Sequence, residues 1–166
     1  MTNEERIKQA VDNFMSGFNC SQSVVSAFAG SYGFTREQAL RMSASFGAGI
    51  GRMRLTCGAV CGIFMLAGLE HCALEGGDRK AKSENYALVR RLAAEFRRRN
   101  GSITCRELLG LRKAERSAEA SERTPEYYAT RPCARMIESA ARIWVDYLEG
   151  RLPEEEPDVP AKSSEN

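Results

Sequence analysis

Six cysteines punctuate this chain, and four of them, Cys20, Cys57, Cys105 and Cys133, stand where the local sequence reads as the first turn of a helix. The partial positive charge at a helix N-terminus stabilises a thiolate, the form of cysteine that attacks disulfides and binds metals. Such a position can lower a thiol pKa from about 8.5 into a range of about 3.5 to 7.5. At least one reactive thiolate at neutral pH is therefore expected. Free cysteine is also a small, commonly buried hydrophobe, so it is the placement of the four, rather than their number, that points to chemistry.

Each placement rests on turn chemistry that takes no account of sulfur. Asn19 and Gln22 form a capping-box pattern around Cys20, Thr104 and Glu107 repeat it around Cys105, Thr56 is a cap residue before Cys57, and Pro132 suits a first helical position just before Cys133. No Cys-x-x-Cys pair is present, so a local thioredoxin-like or zinc-ribbon motif is not supported. The fold has to bring the cysteines together. Cys57 and Cys61 are four apart and share a helix face, which suits a shared metal or cluster better than a relaxed disulfide, with simple packing as the equal alternative for Cys61. Cys72 adjoins His71, the only histidine. Adjacent side chains rarely face one another, so a surface loop is expected there rather than a Cys/His nucleophilic pair. One histidine also removes histidine-rich metal sites and most Ser/His/Asp chemistry. Gly47, Gly49 and Gly51, followed by Arg52 and Arg54, lack the strand and the Gly-Lys-Ser/Thr ending of a phosphate loop. They are expected instead to form a tight helix–helix connection and a glycine-lined rim near Cys57.

The elements that must hold these residues are helical, since strand-like alternation is nearly absent. Ile7, Val11, Phe14 and Phe18 make one apolar stripe, and Val24, Val25 and Phe28 follow Cys20 in a second helix. Thr35 with Gln38 opens a third, containing Leu40 and Met42. Ile63, Phe64 and Leu66 follow Cys57, and Asp78 caps a long helix through Leu88, Leu92 and Phe96 that Asn100-Gly101 stops. Leu108-Leu109 is a short apolar turn ended by Gly110, and 111–124 reads as a loop or a solvent-facing helix. Met136, Ile137, Ala140, Ile143, Trp144, Tyr147 and Leu148 form the clearest stripe and are expected to pack centrally. The fold class is thus all-α, a single compact helical bundle of five or six main helices over 1–149. Residues 150–166 are expected to be a disordered acidic, proline-rich tail.

With 166 residues, 43% of them hydrophobic, the chain suits one domain. Its polar start lacks the apolar core of a secretory signal, and the most apolar run, Ala59 to Leu69, is shorter than the roughly 20 residues of a membrane span. A cytoplasmic protein without a membrane span is expected, in a compartment where structural disulfides are rare. The net charge of +2 does not imply nucleic acid, and no aromatic residues interleave Arg90, Arg91, Arg97, Arg98 and Arg99, or Arg112, Lys113, Arg116 and Arg123, to stack on bases. These cations read as solvated helix ends.

The runs FNCSQSVVSAFA, FGAGIGRMRLTCGAVCG, TCRELLG and RPCARMIESAARIW together resemble the redox-active protein family named C_GCAxxG_C_C, for its pattern of a cysteine, a Cys-Gly-Ala-x-x-Gly motif and two further cysteines. Here the motif is Cys57-Gly58-Ala59-Val60-Cys61-Gly62. The resemblance spans about Phe14 to Leu148 and implies a prokaryotic redox protein, often encoded near transporters or oxidoreductases, with Cys20, Cys57, Cys105 and Cys133 as its functional residues. Cys61 and Cys72 are additions to that pattern. The first reading is dithiol/disulfide exchange with a redox partner protein or a small thiol or disulfide, with Cys57 as the attacking thiolate and no cofactor required. The second is an iron–sulfur or zinc module with the same four cysteines as ligands and Cys61 as an additional candidate. The third is a helical interaction domain with inert cysteines. Self-association is compatible with each.

Overall fold

The computed structural model describes residues 1–113 and 115–154. Their regular structure is eight helices with no strand, six of the helices being seven residues or longer. They are α1 Asn3–Met15, α2 Cys20–Phe28, α3 Arg36–Ser43, α4 Gly58–Glu70, α5 Arg79–Asn100, α6 Cys105–Leu108, α7 Pro125–Thr130 and α8 Cys133–Leu148. Local capping fixes most of the starts. The Asn19/Gln22 and Thr35/Gln38 boxes both form, and Asp78 accepts from the Ala81 N–H. A Thr2/Glu5 box opens α1 as well.

Two expected caps do not form, for a shared reason. Thr56 and Thr104 face each other in an isolated antiparallel bridge. Cys57 donates its N–H to Ile103 (2.8 Å) and Cys105 donates to Leu55 (2.6 Å). Neither threonine side chain caps a helix. Cys57 is itself the cap residue of α4, and Glu107 accepts from the Ser102 hydroxyl instead of closing a box.

α2 lies between α1 and α4, and α8 packs on α1, α4 and α5. Trp144, Phe14, Phe28 and Phe96 fill the core where these helices meet, so the α8 stripe is central as its periodicity predicts. Residues 111–113 and 115–124 carry no helix. α7 was not apparent from apolar periodicity; its sequence signal is Thr124 as cap with Pro125 at the first helical position. The expected tail is described only to Glu154, and its first part departs from the expectation. Leu152 is buried in the main core cluster, and Arg91 donates to the carbonyls of Leu152 and Pro153. Residues 155–166 lie outside the described residues.

Close packing explains the motif glycines. A β-carbon on Gly58 would stand 2.9 Å from the Phe46 carbonyl oxygen and 3.1 Å from Cys20 Cβ, and one on Gly62 would stand 3.0 Å from Val24 Cβ. The two residues let α4 lie directly on α2. The glycine-rich connection before α4 is a left-handed turn: Ala48, Gly49, Ile50, Gly51 and Arg52 all have φ between 55° and 72°, and Arg54 adds a sixth at 59°. A non-glycine residue costs about 1–2 kcal/mol in this conformation. Bonds from Gly51 to Ser45 and from Leu55 to Gly49, both 2.8 Å, hold the turn closed.

Gly49 and Gly51 make the packing argument testable. Both have positive φ, yet a β-carbon on Gly49 would meet Arg54 Cα and Cys105 Cβ at 2.6 Å, while one on Gly51 meets nothing within 4 Å. Gly51→Ala should cost about 1 kcal/mol from backbone strain alone, and Gly49→Ala about 3 kcal/mol or more once overpacking is added. Equal shifts in urea denaturation midpoint for the two variants would refute the crowding account.

Candidate thiol site

Cys20, Cys57, Cys105 and Cys133 line a single cavity of about 50 Å³, together with Asn19, Gly49, Gly58, Arg54, Arg123 and Tyr127. Four separate chain segments supply the sulfurs. Cys20, Cys105 and Cys133 are each the first residue of their helix, and Cys57 sits one position earlier as a cap. The Thr56–Thr104 bridge and the flanking backbone bonds from Cys57 to Ile103 and from Cys105 to Leu55 set Cys57 beside the Cys105 segment. The missing β-carbon of Gly58 allows the start of α4 to reach Cys20. The expected glycine rim is present, although Gly49 crowds Cys105 rather than Cys57.

All six cysteines are free thiols, and one pair stands 4.4 Å apart. Cys20 and Cys133 both line the cavity, and the interaction between their thiols splits their acidities in opposite directions. The neighbouring Cys20 thiol brings Cys133 down to about 7; burial opposes this, and the guanidinium groups of Arg131, Arg123 and Arg54 assist it. The same pairing, followed by burial, pushes Cys20 well above the usual thiol range. Cys57, expected to be the attacking thiolate, is pushed the other way. Its burial raises it to about 12 despite N–H groups from Val60 and Ala59. Burial also raises Cys105, against a hydrogen bond from Arg54. Position at a helix start therefore does not by itself lower a thiol here. Cys133 is the one of the four brought down, in the company of the Cys20 thiol and nearby cations.

Those cations are the residues that the sequence reasoning missed. Arg54 is buried; it donates Nε to Glu115 at 2.6 Å and turns a terminal nitrogen to Cys105 Sγ at 3.8 Å. Arg123, expected as part of a solvated helix end, is partly buried instead. It donates to the carbonyls of Phe14 and Phe18, and its guanidinium lies 4.4 Å from the Phe14 ring centroid and 4.9 Å from that of Tyr127. Arg131 stacks on the other side of the same chain region, 5.4 Å from the Tyr127 centroid. The sequence signal that could have found Arg123 and Arg131 is their position flanking the Thr-Pro-Glu-Tyr-Tyr start of α7, where aromatic rings supply a seat for a cation.

Cys61 does not line the cavity; its sulfur approaches the Thr56 carbonyl at 3.8 Å, and burial lifts it to about 11. Cys72 is exposed, and His71 bonds the Tyr147 hydroxyl at 2.9 Å, so the two do not form a nucleophilic pair. Among the described residues no three Cys, His, Asp or Glu side chains are grouped as a metal ion would require. No described helix is long and apolar enough to cross a membrane.

A helical bundle with four thiols turned into one arginine-flanked cavity defines an all-α cysteine protein with redox character. The model of the family described as "Putative redox-active protein (C_GCAxxG_C_C)" matches residues 18–147, and the chain belongs to that family. In this chain the central block runs Cys57-Gly58-Ala59-Val60-Cys61-Gly62, with cysteine and glycine in the reverse order of the family label. No curated protein and no solved structure matches the chain.

The influence of Cys20 on Cys133 is open to direct measurement. Alkylation of Cys133 should follow a titration centred near pH 7. Cys20→Ala removes the neighbouring thiol and should return Cys133 toward about 8.5, leaving only about 3% thiolate at pH 7. An unchanged titration in that variant would show that Cys20 does not set the acidity of Cys133.

Proposed function

We propose that this protein is a thiol–disulfide redox protein in which Cys133 is the attacking thiolate and Cys20 the resolving thiol. The observation that carries the reading is the meeting of these two partly exposed cysteines at one cavity, each at the start of its helix, with Cys133 the thiol that ionises near neutrality. A thiolate attacks one sulfur of a disulfide and expels the other as a thiolate. Cys133 forms the mixed disulfide with the partner. Cys20 then loses its proton to solvent and attacks the Cys133 sulfur, closing a Cys20–Cys133 disulfide and releasing the second partner thiolate. One disulfide is reduced to two thiolates, two protein sulfurs are oxidised, and one proton is released.

The starts of α2 and α8 carry the two sulfurs, so closure needs a small approach of two helix ends rather than a change of fold. Cys57 and Cys105 line the inner part of the pocket, both with raised pKa values. They serve as thiols held in reserve, slow to attack on their own. The grouping of acidic and sulfur ligands gives the iron–sulfur or zinc reading no comparable support. The partner is a redox protein or a small disulfide, and the reading requires no cofactor.

Reduced protein treated anaerobically with hydroxyethyl disulfide should lose two thiols, and peptide mapping should join Cys20 to Cys133. Cys133→Ser should slow the reaction at pH 7 by about a hundredfold, while Cys20→Ser should stall as the mixed disulfide on Cys133. A first-formed Cys57–Cys105 bond, or full retention of all six thiols, would overturn the assignment.

A further inference from the structure

The cavity carries more positive charge than its own acids can balance. No carboxylate lines it. Glu115 is shared between Arg54 at 2.6 Å and Arg52 at 3.2 Å. Arg123 spends its donors on neutral acceptors, the carbonyls of Phe14 and Phe18 and the Tyr128 hydroxyl, and its faces on aromatic rings. The Arg131 side chain lies over the Tyr127 ring and reaches Glu115 only through space, without an ion pair among the described residues. Even with Cys133 ionised, the two guanidinium groups that line the cavity, Arg54 and Arg123, and Arg131 beside it stand against one thiolate and the Glu115 carboxylate that Arg54 shares with Arg52. A field of this kind concentrates anions at a low-dielectric cleft.

We propose that the arginines flanking this cavity, Arg123 and Arg131, make the protein selective for a small disulfide that carries carboxylates, held with its sulfur against Cys133 and its anionic end toward the guanidinium groups. The inference rests on the thiol–disulfide reading above and names the substrate class of that same site. The cavity, at about 50 Å³, admits the sulfur end of such a molecule and leaves its charged end at the mouth. The reaction is balanced as before: the disulfide gains two electrons and leaves as two thiolates, the protein forms the Cys20–Cys133 bond, and a proton passes to solvent. The departing thiolates are themselves anions, so the field that draws the substrate also stabilises the leaving group. Forming the protein disulfide removes the Cys133 charge and leaves the arginines less balanced than before, which favours exchange of the released thiol for another anion.

Three disulfides of similar size and different charge test the proposal: dithiodipropionate (dianionic), hydroxyethyl disulfide (neutral) and cystamine (dicationic). Each rate with reduced protein is divided by its rate with free mercaptoethanol, which cancels intrinsic reactivity, and ratios between substrates cancel the thiolate fraction. The anionic substrate should exceed the neutral one by about tenfold at low salt, and the cationic one should fall below both, with the differences shrinking toward unity at high salt. Arg131→Gln should lower the anionic-to-neutral ratio severalfold. That side chain holds no structural hydrogen bond in the described residues, so the variant should fold; circular dichroism checks this. Arg123→Lys keeps the charge and should retain most of the preference. Equal normalised rates for all three disulfides, or a preference untouched by salt and by Arg131→Gln, would overturn the substrate assignment while leaving thiol exchange intact. Failure of all three to react would overturn both.

Discussion

At the beginnings of α2 and α4 the two helices touch through glycine, and there is no room for another carbon atom between them. Gly58 lies against the Phe46 carbonyl and Cys20, and Gly62 lies against Val24. Once α4 is seated this way, Cys57 must emerge next to Cys20. The chain leading to it must then turn back through Gly47–Arg54 to meet the Ile103–Cys105 segment. The left-handed turn follows from that demand. Its backbone cost is tolerated because the Thr56–Thr104 bridge holds its end and the Asn19 side chain, donating to the Ala44 carbonyl, holds its approach.

Much of this was legible in the sequence because it is local. Capping boxes at Asn19 and Thr35, the cap at Asp78, and the apolar stripe of α8 are each written within a few consecutive residues, and each forms. The same local logic placed three cysteines at helix starts and the fourth one residue away. It failed where a distant segment competes for the same group. Thr56 and Thr104 pair with each other instead of capping. Leu152 finds a core that its own neighbourhood of prolines and acids gives no hint of. Arg123 reaches carbonyls more than a hundred residues earlier in the chain, a contact that composition and spacing cannot encode.

The acidities of the four cavity thiols show which physical effect is larger. A helix N-terminus contributes about 0.3–1 kcal/mol to a nearby anion. Lifting a buried thiol to about 12 reflects roughly 4 kcal/mol against ionisation. Desolvation therefore overrides the helix start at Cys57, and the site's acidity passes to the cysteine that water and three arginines reach. Family membership points to redox-active cysteines in general; burial and charge separate the acidities of individual sulfurs.

The convergence of four sulfurs also makes ionisation anticooperative. Charge on Cys133 raises Cys20, Cys57 and Cys105 in turn, so the first proton to leave makes the next harder to remove. Electrostatics thus favours a single thiolate in the cavity at a time, with the other three sulfurs held as neutral thiols around it.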